Sequence, residues 1–160
     1  MKSKTSTLKP LGRLAALAVA TGMLVTVNPA QAVETRHKIN ATAVGAYTGP
    51  TTSASQIIGG GILHGTTTSE LAITGFDPET GVATFVGTLV LTTRKGTLTL
   101  YFPDGVFSLV TGEFSTNSVV TGGTGRFDGA TGELFFHGFS YSDGTFIDDE
   151  ISGTIYVDRP

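Results

Sequence analysis

The sequence predicts an all-β fold, an eight-stranded antiparallel up-and-down barrel behind an N-terminal signal peptide. Three observations carry that prediction. Short runs rich in Val, Ile, Phe, Leu and Thr recur between Gly-containing turns. No stretch after residue 33 holds a helical apolar period of useful length. Glycine supplies 22 of the 160 residues, a composition hostile to long helices. Closing the strands into a barrel removes the edges that such Thr/Val-rich segments would otherwise expose.

The first segment reads as a targeting peptide. Lys2, Lys4, Lys9 and Arg13 form a positive region, followed by the apolar run Leu14 to Val27 and an Ala30-Gln31-Ala32 cleavage site. Read as a helix, that apolar run is roughly 21 Å long, short of the ~30 Å hydrocarbon core of a bilayer. The expected domains are therefore a signal peptide over 1–32 and one barrel domain over 33–160. Cleavage removes four of ten basic residues and none of the thirteen acids, so net charge moves from −3 to −7. An acidic chain disfavours nucleic acid and phospholipid head groups as partners. No second apolar run is long enough to span a membrane. With no cysteine in the chain, stability must come from burial and backbone pairing, and about 128 residues can bury a sizeable core unaided. The expected location is secreted or periplasmic.

The strands follow in order. His37 to Tyr47 and Ile57 to His64 read as the first two, with Gly49 to Ser55 as loop between them. Leu71 to Phe76 leads into the turn Asp77-Pro78-Glu79-Thr80-Gly81, where Pro sets φ and Gly tolerates positive φ. Val82 to Thr93 is a long strand with Phe85, Leu89 and Leu91 on one face. After the turn at Arg94-Lys95-Gly96, Leu98, Leu100 and Phe102 alternate with Thr97, Thr99 and Tyr101, as in a half-buried antiparallel pair. Pro103-Asp104-Gly105 reads as a turn into Val106 to Thr111. Glu113 to Thr121 and Glu133 to Tyr141 are further strands, with a turn at Ser142-Asp143-Gly144. Phe146 to Val157 closes the chain, and its inner face holds Ile147, Asp149, Ile151, Gly153, Ile155 and Val157.

The segment Val119-Val120-Thr121-Gly122-Gly123-Thr124-Gly125-Arg126-Phe127-Asp128-Gly129-Ala130-Thr131-Gly132 resembles a glycine-rich stretch of dirigent proteins and allene oxide cyclases. It is most similar to that superfamily's bacterial secreted relatives. The resemblance runs from about Thr84 to Val157 and includes Gly87-Thr88-Leu89 and Ile151-Ser152-Gly153-Thr154-Ile155. It implies a calycin-like barrel assembled as a trimer or dimer, and a cofactor-independent isomerase or cyclase as one function. No catalytic residue of those enzymes maps onto a position here. Read from its own residues, the segment places Phe127 opposite Arg126 and Asp128, as a plug of the barrel or of the adjacent loop. A phosphate-binding loop would need a lysine and a following helix, and both are missing.

His37, His64 and His137 are far apart and lack metal-ligand spacing, so no metal is expected. His137 lies in a strand apolar on both faces. It reads either as a packed histidine or as a general base in the barrel interior. Asp149 shares the apolar face of the last strand, where an unpaired carboxylate is costly and its pKa rises. That makes it the candidate interior acid, although Asp148-Asp149-Glu150 also reads as an exposed edge or bulge. Glu70 and Glu113 read as solvent-facing. There is no G-x-S-x-G elbow and no cysteine nucleophile.

Eight strands enclose an interior that side chains fill or that holds one small ligand. The leading expectation is a small apolar ligand bound without a cofactor, against Phe85, Leu89, Leu91, Leu98, Leu100 and Ile151. The alternatives are the isomerase or cyclase, with His137 and Asp149 as its acid-base pair, and a structural surface or matrix protein with a plugged barrel.

Overall fold

A computed structural model of the chain describes residues 34–141 and 147–158. The expected signal peptide and the turn at Ser142-Asp143-Gly144 lie outside the described residues. The described chain is all β apart from two single 3-10 turns. Its strands are β1 (Glu34–Tyr47), β2 (Thr52–Gly59), β3 (Gly65–Asp77), β4 (Val82–Thr93), β5 (Gly96–Ser108), β6 (Glu113–Gly123), β7 (Thr131–Ser140) and β8 (Ile147–Asp158). Each pairs antiparallel with the next, and β8 returns to β1 from Glu34↔Asp158 to Gly45↔Ile147, closing the barrel.

Period-two alternation decides which side chains turn inward. Ile39, Ala41 and Ala43 of β1 face Gly153, Ile151 and Asp149 of β8 across the seam. Phe85, Leu89 and Leu91 of β4 and Leu98, Leu100 and Phe102 of β5 are buried, while Thr88, Val90 and Tyr101 are exposed. The expected inner faces of these strands hold, and Val82–Thr93 is the very segment read as β4.

Two segments differ from the reading above. Thr52 to Ser55 of the Ser/Thr-rich stretch expected as loop form the first half of β2, and the strand expected over Ile57 to His64 ends at Gly59. Gly59, Gly60 and Gly61 all take positive φ, which breaks the strand and opens the 3-10 turn Gly61–Leu63. Ser and Thr favour turns locally. Here β1 and β3 flank the segment and supply its backbone partners, with Ser55 opposite both Gly45 and Thr67.

The second difference is at Pro103-Asp104-Gly105, which lies within β5 and is not a reversal. The β5–β6 register shifts between Tyr101 and Val106, so Pro103 sits where the ladder is interrupted and its missing N–H costs no bond. The shift also changes which parity faces inward, from Leu98, Leu100 and Phe102 to Phe107 opposite Ala83. The chain reverses instead between β5 and β6, where the Gly112 N–H donates to Ser108 O at 2.8 Å.

The barrel has two unlike ends. One receives Leu63 from the first 3-10 turn and Phe127 from the second, Gly125–Phe127, both with no exposed surface. They pack with Ile39, Leu91, Leu98 and Ile155 into a solid core. The second turn is held on the barrel by Arg126 N–H donating to Lys95 O and Thr124 N–H to Thr97 O, each at 2.8 Å. Phe127 is thus the plug that its place in the glycine-rich segment suggested. The other end, where the β1–β2, β3–β4 and β5–β6 connections lie, has no such plug among the described residues.

Candidate functional site

The open half of the barrel encloses a cavity of about 1100 Å³. Its two walls differ chemically. Phe85 and Leu89 of β4, Phe102 and Phe107 of β5, and Phe136 of β7 make an apolar wall. Phe102 and Phe136 meet edge to face with ring centroids 5.4 Å apart, an arrangement favoured by the ring quadrupoles. On β2 and β3 Ser53, Ser55, Thr67 and Ser69 face the cavity, with Leu71 and Ile73 further along β3. Ser53 Oγ and Ser69 Oγ share a hydrogen bond of 2.7 Å, and Thr67 Oγ1 donates to Ser55 O at 3.4 Å. Thr116 on β6 also lines the cavity and donates to Asn117 O at 2.9 Å. Most of this wall therefore spends its hydroxyls on itself, with small side chains that leave space.

Asp149 is different. It sits on the inner face of β8, 9% exposed, directly opposite Gly138 of β7 and Ala43 of β1. Two of the smallest residues flank it, and that is what makes room for the carboxyl. A Cβ at Gly138 would stand 2.6 Å from Asp149 Oδ1. That oxygen is buried and has no hydrogen-bond partner. By contrast, the equally interior Ser118 Oγ donates to Leu134 O at 2.9 Å. Burial pushes the Asp149 carboxyl up to about 7, with the charge of Asp148 adding to the rise. It is the only charged side chain among the described residues lining the cavity.

His137 does not share this cavity. The inner residues of β7 are Leu134, Phe136, Gly138 and Ser140, so residue 137 points outward. There its Nε2 lies 2.9 Å from Glu113 Oε1, with both side chains well exposed. Its ring stacks on Phe135 and meets Phe139 edge-on, at centroid distances of 6.5 and 6.0 Å. Because Phe135 and Phe139 make the outer face as apolar as the inner one, the strand's own sequence does not say which face is which. His37 lies by the plugged end, where partial burial and then the Arg126 charge hold its imidazole below the ordinary range. His64 is at the same end. Among the described residues no three His, Asp or Glu side chains converge as a metal site.

Of the expected ligand contacts, Phe85 and Leu89 line the cavity. Leu91, Leu98, Leu100 and Ile151 are buried in the packed core and do not line it. The cavity-lining residues that sequence reading missed include Phe107, Phe136 and the β2–β3 hydroxyls. Their signal was present: Ser53, Ser55, Thr67 and Ser69 repeat at period two on neighbouring strands.

The fold and cavity define a closed eight-stranded antiparallel barrel with one half filled and one half open. No family model and no curated protein matches the chain. Among solved structures it is similar to a pterocarpan synthase dirigent protein. The identity is 15%, the match covers 86% of this chain and 97% of that one, and the TM-score is 0.36. The functional reading therefore rests on this chain's own residues. No helix among the described residues is long and apolar enough to cross a membrane.

Proposed function

We propose that residues 33–160 are the mature part of a secreted or periplasmic protein that binds a small, mainly apolar molecule in the open half of its barrel. The observation that carries this reading is the phenylalanine-lined cavity of about 1100 Å³. Pockets for drug-sized molecules run from roughly 300 to 1,000 Å³ and are mostly apolar with a few placed polar groups. A barrel filled along its whole length would argue against binding. Here the filling by Leu63, Phe127 and their neighbours stops short of the β1–β2 and β3–β4 connections.

The isomerase or cyclase reading asks for two convergent polar groups in the cavity. Asp149 suits one of them, since an acid poised near neutral pH can give or take a proton. His137 faces outward, so that pair is not assembled. A structural protein working through its outer face would use side chains such as Phe135 and Phe139, but it gives no reason for an open interior.

The test is a native mass spectrum of the protein purified gently from its own host, followed by calorimetric titration with decanol. A defined adduct or saturable decanol binding is the expected result, and the same spectrum reports whether the chain is a dimer or trimer. A clean apo mass together with no decanol binding overturns the proposal.

A further inference from the structure

The buried carboxyl and the distribution of charge point to one kind of ligand. We infer that the cavity takes an amphipathic amine, an apolar body carrying a cationic nitrogen that pairs with Asp149. This rests on the reading of the open half as a binding cavity and goes beyond it by naming the ligand's polar group.

Three observations support it. First, Asp149 Oδ1 lacks a hydrogen-bond partner although the side chain is 9% exposed, and the cavity it lines is apolar along the opposite wall. An ionised carboxylate lining an apolar cavity with no counter-charge beside it is costly, and a cationic nitrogen on the ligand supplies that charge. An ammonium group also restores the charge balance, so the carboxylate becomes its favoured form. Second, the barrel is electrically polar. The described lysines and arginines (Arg36, Lys38, Arg94, Lys95 and Arg126) all belong to the plugged end of the barrel or to the strand ends beside it. Among the described residues the acids Asp77 and Glu79 in the β3–β4 region, Glu113 at the start of β6 and Asp148 at the start of β8 lie at the open end, with no lysine or arginine beside them. Such a mouth draws cations in and repels anions. Third, the apolar wall is built from phenylalanines, and an aromatic face tolerates an ammonium better than an aliphatic one does.

The pairing makes affinity depend on pH. From β7 Asp149 faces Gly138 and from β1 Ala43, neither of which titrates. Its own strand adds the charge of Asp148, and Tyr47 and Tyr141 are the other titratable side chains among the described residues lining the cavity. An alkylamine also keeps its proton throughout the neutral range, much as lysine does. Between pH 5.5 and 8.5 the Asp149 carboxyl therefore sets the trend, and amine affinity rises with pH.

The experiment compares decylamine, decanol and decanoate, each below its micelle concentration, by calorimetric titration of the wild-type protein and Asp149→Asn. At pH 8 decylamine is expected to bind about 10-fold or more tightly than decanol, with decanoate weakest. The margin is expected to shrink on acidification through 7 and to vanish in Asp149→Asn, which still binds decanol. Equal affinity for amine and alcohol in the wild type overturns the inference. So does an amine preference that survives in Asp149→Asn, which would mean attraction by the acidic surface alone. If decanol itself fails to bind, the cavity reading falls first and takes this inference with it.

Discussion

The plugged and the open halves of the barrel are made of the same strands and yet obey different rules. In the plugged half large apolar side chains such as Ile39, Leu91, Leu98 and Ile155 fill the interior, and two 3-10 turns fold back to deliver Leu63 and Phe127 into what remains. In the open half small residues, Ala43, Gly45, Ser53, Ser55, Thr67 and Ser69, take many of the inward positions of β1, β2 and β3. Small side chains facing phenylalanines across a barrel leave space. The first half supplies stability, and the second gives some of it up by holding an unpaired carboxyl. The difference teaches that eight strands need not be wholly filled or wholly hollow. Loop residues at one end decide how far the core extends.

The largest expected effect is in the plugged half. Phe127→Ala removes a fully buried ring and is expected to lower unfolding free energy by about 3–5 kcal/mol. Denaturant unfolding measures it. If the halves are separable, decanol affinity measured well below the new midpoint should stay within about threefold of wild type. A parallel loss of binding would mean that the plug shapes the cavity floor.

Asp149→Asn should do the opposite. The folded-state acid titrates near 7, and the unfolded chain titrates near the ordinary carboxylate value of about 3.9. A raised acid keeps its proton longer in the folded state, so stability falls as pH rises from about 4 to about 7 and then levels off. The neutral amide escapes that fall. It should stabilise the protein by up to about 4 kcal/mol at pH 8 and hardly at all at pH 4. Thermal melts at the two pH values check this, and a pH-independent difference would show that the carboxyl is not buried as described.

The smallest effect belongs to the outer face. His137→Ala breaks an exposed pair with Glu113, worth at most about 1 kcal/mol. It should leave decanol and decylamine affinity unchanged. A loss of ligand binding in this variant would contradict the outward placement and reopen a role for His137 inside the barrel.

Much of this architecture was legible because antiparallel strands write their two faces at period two. Val82–Thr93 and the run Leu98 to Phe102 could be oriented without any neighbour, since one face is Thr-rich and the other is Leu and Phe. The Pro78–Gly81 turn was equally local, with the Gly81 N–H donating to Asp77 O at 2.9 Å. Strand β2 was not legible, because Ser and Thr side chains suit loops as well as the wall of a half-empty barrel. The apparent turn at Pro103 misled because a proline within a strand is tolerated only where the neighbouring ladder is broken, and the β5–β6 register is not local information.

The candidate site divides along the same line. The residue pattern alone put Asp149 in phase with Ile147, Ile151 and Ile155, and made Phe85 and Leu89 inward residues. It also specified a chain without cysteine that must be stabilised by burial. Tertiary structure decided the rest. Closure of β8 onto both β7 and β1 made Asp149 an interior residue and not part of a frayed edge. The same closure turned His137 outward, choosing between two faces of β7 that are equally apolar. Depth in the barrel separated Leu91, Leu98, Leu100 and Ile151, which do not line the cavity, from Phe85 and Leu89, which do, although all six belong to one buried core. Alternation is a property of one strand. Depth along a barrel axis depends on which loops fold inward, and those contacts join residues far apart in the chain.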